Sequence, residues 1–166
     1  MKHLTRAILL TSVLALAACT NPDRFSGDEV NLGGAGGSGS ADDPTSPLYF
    51  QQSVGDRVFF QVDQSTLTGE AQVTLDGQAQ WLIKNSDYTA IIEGHADEQG
   101  TREYNLALGA RRANAVQEYL LQQGVSATRL KVVSYGKERP IEICSQEACY
   151  AKNRRAVTII SADYNS

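Results

Sequence analysis

The 166 residues of this chain are enough for one folded domain with extended tails. Apolar residues make up 42% and charged residues 20% of the chain, which is typical of a protein that folds around a hydrophobic core. The formal net charge of −4 argues against nucleic acid as a partner. The three cysteines are an odd number, so at least one of them has a fate other than pairing within the chain.

Residues 1–18 are predicted to be a signal peptide. Lys2 and Arg6 form a cationic start, and the apolar run that follows is shorter than the ~20 residues that span a bilayer. The run ends in Leu-Ala-Ala before Cys19, which resembles the bacterial lipobox. That resemblance implies a lipid on Cys19, and Thr20 after it implies sorting to the outer membrane. The alternative is an ordinary signal peptide with a cysteine near the cleavage site.

Residues 19–50 are predicted to comprise the lipidated cysteine and a flexible linker rich in Gly, Ser, Asp and Pro. The segment 31–40 cannot bury enough apolar surface to offset its chain entropy. As a flexible coil, the linker would span ~30 Å root-mean-square. It would therefore join a membrane anchor to a folded domain at 51–166.

The first half of that domain is predicted to contain a strand, a helix and a second strand. The first strand is Arg57–Val62, with Val58, Phe60 and Val62 on one face and Phe59 on the other. The helix extends to about residue 85, and its apolar face consists of Leu75, Ala79, Trp81, Leu82 and Ile83. The second strand, 88–94, is an almost continuous apolar run, which favours a position covered on both faces.

The second half is predicted to begin with a helix at 102–123, which Gly124 ends. A third strand at 129–134, a short helical turn at 150–154 and a last strand at 156–161 follow. This order, βαβαβ(α)β, predicts an α/β fold with helices packed on a four-stranded sheet. The unit around the second helix should be a right-handed parallel crossover.

A helical wheel of the second helix separates its two adjacent arginines. The predicted buried face consists of Leu106, Gly109, Ala113, Val116 and Leu120. Arg111 would lie about 170° from the centre of that face, and Arg112 about 70° from it, on the same flank as Asn105. We therefore expect Arg112 rather than Arg111 to be the functional residue.

Asp97 lies in the loop before this helix, close to the positive end of the helix dipole. There a carboxylate can accept a hydrogen bond from a ligand ammonium, while Arg112 donates to a ligand carboxylate. The alternative is that Asp97 only caps the helix and that Arg112 pairs with a local acid such as Glu98. Spacing does not decide between these interpretations.

His95, Asp97 and Glu98 do not have the spacing of a metal site, because neighbouring residues at a strand end project in different directions. We interpret His95 as a structural histidine. Motifs of nucleophilic catalysis and Gly-rich phosphate loops are also absent from the sequence. We therefore predict no catalytic residue, no metal and no cofactor beyond the covalent lipid.

Five segments together resemble the OmpA-like peptidoglycan-binding domain family: 94–101, 104–105, 108–116, 133–137 and 153–157. The match extends from about Val58 to Ile160 and implies an OmpA C-terminal-like sandwich with a mixed sheet. The family binds the diaminopimelate group of the peptidoglycan stem peptide without a covalent bond. By this resemblance Asp97 and Arg112 bind the ligand, Phe60 lines the pocket, and Asn105 contributes to it. Asn105 and Arg154 match motif positions that shape the site or the fold.

Lipoproteins of this family anchor the outer membrane to the cell wall and work with the Tol system in envelope integrity and cell division. The resemblance therefore implies TolB and TolA as partners, a lipid-anchored location at the outer membrane, and a domain in the periplasm. One alternative is a lipoprotein of another envelope machine, such as a secretion system or a motor. A cell-wall hydrolase is the other.

Cys144 and Cys149 are a departure from many family members, which have a loop without cysteine here. In the periplasm the two residues could form a disulfide worth about 2 kcal/mol for so short a loop. Reduced thiols or a metal site are the alternatives.

Overall fold

The computed structural model of the protein describes residues 39–162. The predicted signal peptide, Cys19 and the first part of the linker lie outside these residues. Within the described range, no helix is long and apolar enough to cross a membrane.

Helices and strands alternate along the described chain. Their order is α1 (Pro47–Tyr49), a π-helical segment (Phe50–Gly55), β1 (Arg57–Phe59), α2 (Gly69–Lys84), β2 (Tyr88–His95), α3 (Arg102–Gln122), a 3-10 turn (Ala127–Arg129), β3 (Leu130–Gly136), α4 (Glu147–Asn153) and β4 (Arg155–Ala162). The strands form one sheet in the order β1-β4-β2-β3. β4 is antiparallel to both of its neighbours, whereas β2 and β3 are parallel. The predicted α/β fold with a mixed four-stranded sheet is confirmed, and so is the parallel crossover through α3.

The core lies between one face of the sheet and the helices α2 and α3. Along β2, Ala90 and Ile92 are buried in this core, whereas the alternating residues Ile91 and Glu93 are only partly buried. Ile91 lies on the open face of the sheet beside its cross-strand neighbour Ile159. The prediction that this strand is covered on both faces is therefore wrong, because its apolar run also supplies contacts between neighbouring strands.

The packed chain begins before the predicted domain boundary. Ser46 caps α1 by accepting a hydrogen bond from the Tyr49 amide, and Phe50 is buried against Trp81, with ring centroids 4.9 Å apart. The Trp81 indole N–H donates to the Pro44 carbonyl at 2.8 Å. The prediction that the flexible linker extends to residue 50 is therefore wrong for its last residues. A short apolar segment at the end of this Gly- and Ser-rich stretch contributes to the core, and the average composition of the stretch did not indicate it.

β1 ends earlier than predicted. The structure keeps Val58 and Phe60 buried, but Val62 is 54% exposed. The chain leaves the sheet after Phe60 and turns through Asp63, which has a positive φ of 56°. The prediction that Val62 continues the buried face is wrong, because this segment directs its carbonyl groups toward α3 instead of β4.

α2 follows its predicted apolar face with one exception. Leu75, Ala79, Trp81 and Leu82 are buried as predicted. Ile83 is 51% exposed, because one further residue turns the side chain about 100° beyond the buried stripe.

Candidate functional site

The candidate site lies where β2 ends and α3 begins, and two glycines bring these elements into direct contact. A Cβ atom on Gly94 would lie 1.9 Å from the Gly109 carbonyl oxygen, and one on Gly109 would lie 2.4 Å from Ser134 Oγ. No larger residue fits at either position without movement of the helix. This close approach places Arg112, less than one turn after Gly109, under the loop that leaves β2.

Asp97 does not cap α3. The N-cap is Thr101, whose side chain accepts a hydrogen bond from the Tyr104 amide at 3.2 Å. Asp97 Oδ1 accepts from the Gln99 amide at 3.1 Å, and Oδ2 accepts from Arg154 Nη1 at 3.1 Å. The alternative in which Asp97 serves only as the helix cap is therefore wrong. Its carboxylate is held by two donors from outside the helix.

Arg112 is fully buried, at 0% exposure, and donates to three backbone carbonyl groups. Nε donates to Gln64 O at 2.8 Å, Nη1 to His95 O at 2.8 Å and Nη2 to Gln61 O at 3.3 Å. These bonds join the segment after β1 to the end of β2. The Arg112 guanidinium carbon also lies 5.3 Å from the centroid of the Phe60 ring, which allows a cation–π contact.

The alternative partner for Arg112, Glu98, is engaged elsewhere. Glu98 Oε1 accepts a hydrogen bond from the Tyr150 hydroxyl at 3.1 Å. The partners of the Arg112 guanidinium are the three carbonyl groups. The alternative interpretation, a local ion pair between Arg112 and Glu98, is therefore wrong.

The predicted difference between the two arginines of α3 is confirmed, since Arg111 is exposed and Arg112 is buried. The predicted buried face was nevertheless rotated. Leu106 is 43% exposed, whereas Leu108 is 4% exposed. Arg112 lies within the buried face instead of on its flank, because carbonyl groups satisfy donors whose burial would otherwise be costly.

Arg112 remains positively charged although it is buried. Burial, helped by the nearby cations Arg154 and Arg111 and opposed by the carboxylates of Asp97 and Asp63, lowers the pKa of Arg112 to about 10. At neutral pH this guanidinium therefore remains protonated. The site keeps a buried cation close to the Asp97 carboxyl group.

A cleft of about 290 Å³ opens at the side of Asp97. Its lining consists of Val62, Asp63, Asp97, Gln99, Gly100, Tyr104, Asn105 and Leu108. The Tyr104 hydroxyl donates to the Asp63 carboxylate at the rim. Asn105 is buried and donates through Nδ2 to the Gln99 carbonyl at 2.8 Å, so it holds the loop that carries Asp97.

The structure therefore brings Asp97 and Asn105 to the cleft, whereas Arg112 and Phe60 are buried and do not line it. Phe60 lines a separate cleft along β1. Sequence reasoning missed the two rim residues Asp63 and Tyr104. The only local signal for Asp63 is its position just after the first strand, where a turn was not predicted.

Arg154 was predicted to shape the site or the fold, and it bonds directly to Asp97. It also pairs with Glu147, which sequence reasoning did not identify as relevant. No local pattern marks Glu147, because its contact depends on how the segment before β4 folds back.

His95 is 2% exposed and its ring stacks on Tyr135, with centroids 5.7 Å apart. Burial lowers the pKa of His95 to about 4, and the charges of Arg155 and Arg139 act in the same direction. The structure thus places a neutral imidazole at the end of β2. Within residues 39–162, no group of three or more His, Cys, Asp or Glu side chains could hold a metal ion.

Cys144 and Cys149 form a disulfide across five positions of the chain. The bridge connects the loop after β3 to the first turn of α4. The predicted disulfide is therefore present in the structure, and the alternatives of free thiols or a metal site at this pair are wrong.

Comparison with known proteins gives consistent matches along most of the chain. Residues 59–154 match the OmpA family. The chain is 50% identical over 155 residues to a protein of Agrobacterium fabrum named peptidoglycan-associated lipoprotein, covering 92% of this chain and 85% of that protein. A protein of the same name from Pseudomonas aeruginosa is 46% identical over 129 residues, covering 78% of this chain and 76% of that protein.

Solved structures have the same fold. The crystal structure of the peptidoglycan-associated lipoprotein from Burkholderia pseudomallei matches with a TM-score of 0.65 and 38% identity, covering 73% of this chain and 98% of that one. The C-terminal domain of Helicobacter pylori MotB matches with a TM-score of 0.61 and 24% identity, covering 66% of this chain and 87% of that one. The second match concerns the fold alone.

Proposed function

This chain belongs to the OmpA family, and on that premise we propose that it binds peptidoglycan without forming a covalent bond. The ligand group is the diaminopimelate of the stem peptide, whose free end carries an ammonium and a carboxylate. The observation that carries the proposal is the cleft at Asp97 together with the buried cation Arg112, which bonds to the His95 carbonyl two residues before Asp97 and whose pKa is influenced by the Asp97 charge. Two relatives that are 50% and 46% identical to this chain over the aligned residues are named for association with peptidoglycan.

Asp97 binds the ammonium group. Its two oxygens each accept one hydrogen bond within the protein, from Gln99 and from Arg154. Since each carboxylate oxygen can accept two bonds, one position on each remains for a ligand. The existing bonds orient the carboxylate before the ligand arrives, so less conformational entropy is lost on binding.

Arg112 binds the carboxylate group. A guanidinium has five N–H donors, and three of them bond to carbonyl groups. One donor therefore remains on each of Nη1 and Nη2, which is the pair that a carboxylate accepts in a bidentate contact. Since Arg112 is fully buried, the segment Gln61–Gln64 must move to admit the ligand, and the bond to Gln61, at 3.3 Å, is the longest of the three.

In the cell envelope this domain ties the outer membrane to the wall. The lipid is on Cys19, the linker that follows gives the domain reach, and the domain works in the periplasm. We further propose that TolB and TolA are its protein partners. The chain would then act in the Tol–Pal system, which serves envelope integrity and cell division. Its role is that of a binding protein and not of an enzyme.

Sedimentation of the full-length protein with purified sacculi tests the proposal. Wild type should pellet with the sacculi, and free diaminopimelate should release it. Lysine, which has an ammonium but no second carboxylate at its distal end, should release it poorly. Asp97→Ala should weaken binding by tenfold or more, since a charge-assisted hydrogen bond contributes about 1.5–3 kcal/mol.

Arg111→Ala is the comparison for Arg112→Ala. Arg111 is exposed and does not line the cleft, although its guanidinium carbon lies 5.8 Å from the centroid of the Tyr104 ring at the rim, so this variant should bind almost like wild type. Arg112→Ala should lose both binding and stability, so the competition by free diaminopimelate provides the test that does not depend on folding. Equal release by lysine and diaminopimelate would refute the two-charge mechanism. Unchanged sedimentation of Asp97→Ala would refute it as well.

A further inference from the structure

Asp97 is connected to a second carboxylate through one buried arginine. Arg154 is 4% exposed, and its Nη1 donates both to Asp97 Oδ2 at 3.1 Å and to Glu147 Oε2 at 3.4 Å. Its Nη2 donates to the other oxygen of Glu147, and its Nε to the Phe60 carbonyl at 3.2 Å. The single charge of Arg154 is therefore shared between Asp97 and Glu147.

Glu147 begins α4, a helix that has little stability of its own. α4 is 7 residues long, and its N-cap, Gln146, makes no side-chain capping bond. A helix this short is marginal in water without other support. The Glu147 side chain is 66% exposed, so packing does not hold it in place.

The disulfide supplies the missing constraint. Cys149 lies in the first turn of α4 and Cys144 lies in the loop before it, so the bridge closes around Gln146 and Glu147. The same turn is tied to the site loop by the Tyr150 hydroxyl, which donates to Glu98, the residue after Asp97. The bridge, Glu147, Arg154 and Asp97 thus form one continuous chain of contacts.

We propose that Glu147 is a positioning residue for Asp97, and that the Cys144–Cys149 disulfide holds Glu147 in place, so that both set the affinity for the ammonium group of the ligand. This inference rests on the proposed function of Asp97. Glu147 draws part of the Arg154 charge away from Asp97 and leaves the Asp97 carboxylate more available. Without Glu147, the whole charge of Arg154 acts on Asp97, competes with the ammonium and repels it.

The size of the effect follows from the exposure of Glu147. An exposed ion pair contributes less than about 1 kcal/mol, so loss of Glu147 should weaken binding about two- to fivefold. The loss should shrink in high salt, because salt screens exposed charges. A purely structural role would not depend on salt in this way.

The experiment measures the affinity of the full-length protein, purified in detergent, for a soluble stem peptide that contains diaminopimelate. The variants are Glu147→Gln, the double variant Cys144→Ser/Cys149→Ser, and the combination of all three changes. Glu147→Gln and the double variant should each weaken binding two- to fivefold, and the combination should be no weaker than the double variant alone. In an Asp97→Asn background, Glu147→Gln should have no further effect.

Glu142→Gln is the matched control. Glu142 lies in the same segment and pairs with Lys152 at 2.8 Å, but it makes no contact with Arg154 or Asp97, so this variant should bind like wild type. A Glu147→Gln variant that binds like wild type would overturn the inference, and so would equal losses in Glu142→Gln and Glu147→Gln. Independent, multiplicative losses in the combined variant would also overturn it. Failure of the wild type to bind the peptide would instead reject the proposed function on which the inference rests.

Discussion

Arg112 shows how a charged side chain can belong to a hydrophobic face. Its position on α3 is buried together with Ala113 and Val116. Burial of an unpaired guanidinium would cost several kcal/mol. The cost is offset here because three carbonyl groups, two of them from the turn after β1, accept hydrogen bonds from it. The residue that the proposal assigns to the ligand carboxylate therefore also connects two parts of the fold.

His95 should make the stability of the fold depend on pH. Its pKa falls from 6.5 to about 4 on folding, chiefly through burial, so the unfolded chain binds a proton that the folded chain does not. Stability from this residue is fully present above pH 6.5 and is lost as the pH falls toward 4. We expect the free energy of unfolding to fall by about 2 kcal/mol between pH 7.5 and pH 5.

Urea unfolding at a series of pH values measures this dependence. His95→Gln is the comparison, because an amide of similar length does not titrate in this range. The variant should be nearly insensitive to pH over the same interval. An equal slope in wild type and variant would show that other groups cause the dependence.

At the scale of elements, the segment from Pro44 to Gly55 works as part of the folded domain. It caps its own first turn, buries Phe50 and satisfies the indole N–H of Trp81. The composition of the preceding residues led to a prediction of linker up to residue 50. A compositional signal averages over many residues, so it does not detect three or four apolar residues at the end of a polar stretch.

Phe50→Ala should destabilise the domain by about 3 kcal/mol, because it removes a fully buried ring and its contact with Trp81. Thermal or urea unfolding gives the measurement. Phe59→Ala is the matched control, since Phe59 is 47% exposed, and its cost should stay below about 1 kcal/mol. Equal costs for the two substitutions would contradict the assignment of Phe50 to the core.

For the whole molecule, the proposal requires a membrane anchor that is separate from the wall-binding domain. In this proposal the anchor depends on Cys19, which lies outside the described residues, whereas the domain depends on contacts within 39–162. Stable anchoring needs more than one acyl chain, since each buried methylene contributes about 0.8 kcal/mol.

Cys19→Ser should therefore abolish labelling with palmitate and move the protein from the membrane fraction to the soluble fraction. Its sedimentation with sacculi should remain like that of wild type, because the cleft is unchanged. Labelling that persists in Cys19→Ser would show that the lipid is elsewhere or that the lipobox was misidentified. Loss of sacculus binding would show that anchor and domain are not independent.

The sequence alone was enough to predict the α/β class, the order of the main elements, and that Arg111 is exposed while Arg112 lies closer to the core. These features follow from local periodicity, since a helix repeats every 3.6 residues and a strand every two. The resemblance of five motifs to the OmpA-like family selects Asp97 from several acids in the same region as the ligand-binding residue, and this selection stays a prediction.

Only the tertiary structure decided what holds these residues. The arginine partner of Asp97 is 57 positions away along the chain, and one carbonyl partner of Arg112 is 51 positions away. Neither contact leaves a pattern near the residue itself. The rotation of the buried face of α3 has the same origin: Leu108 is buried and Leu106 is exposed because distant carbonyl groups make Arg112 part of the core. Local sequence patterns determine the face of a helix or strand on which a side chain lies, whereas packing between distant segments determines which groups that side chain contacts.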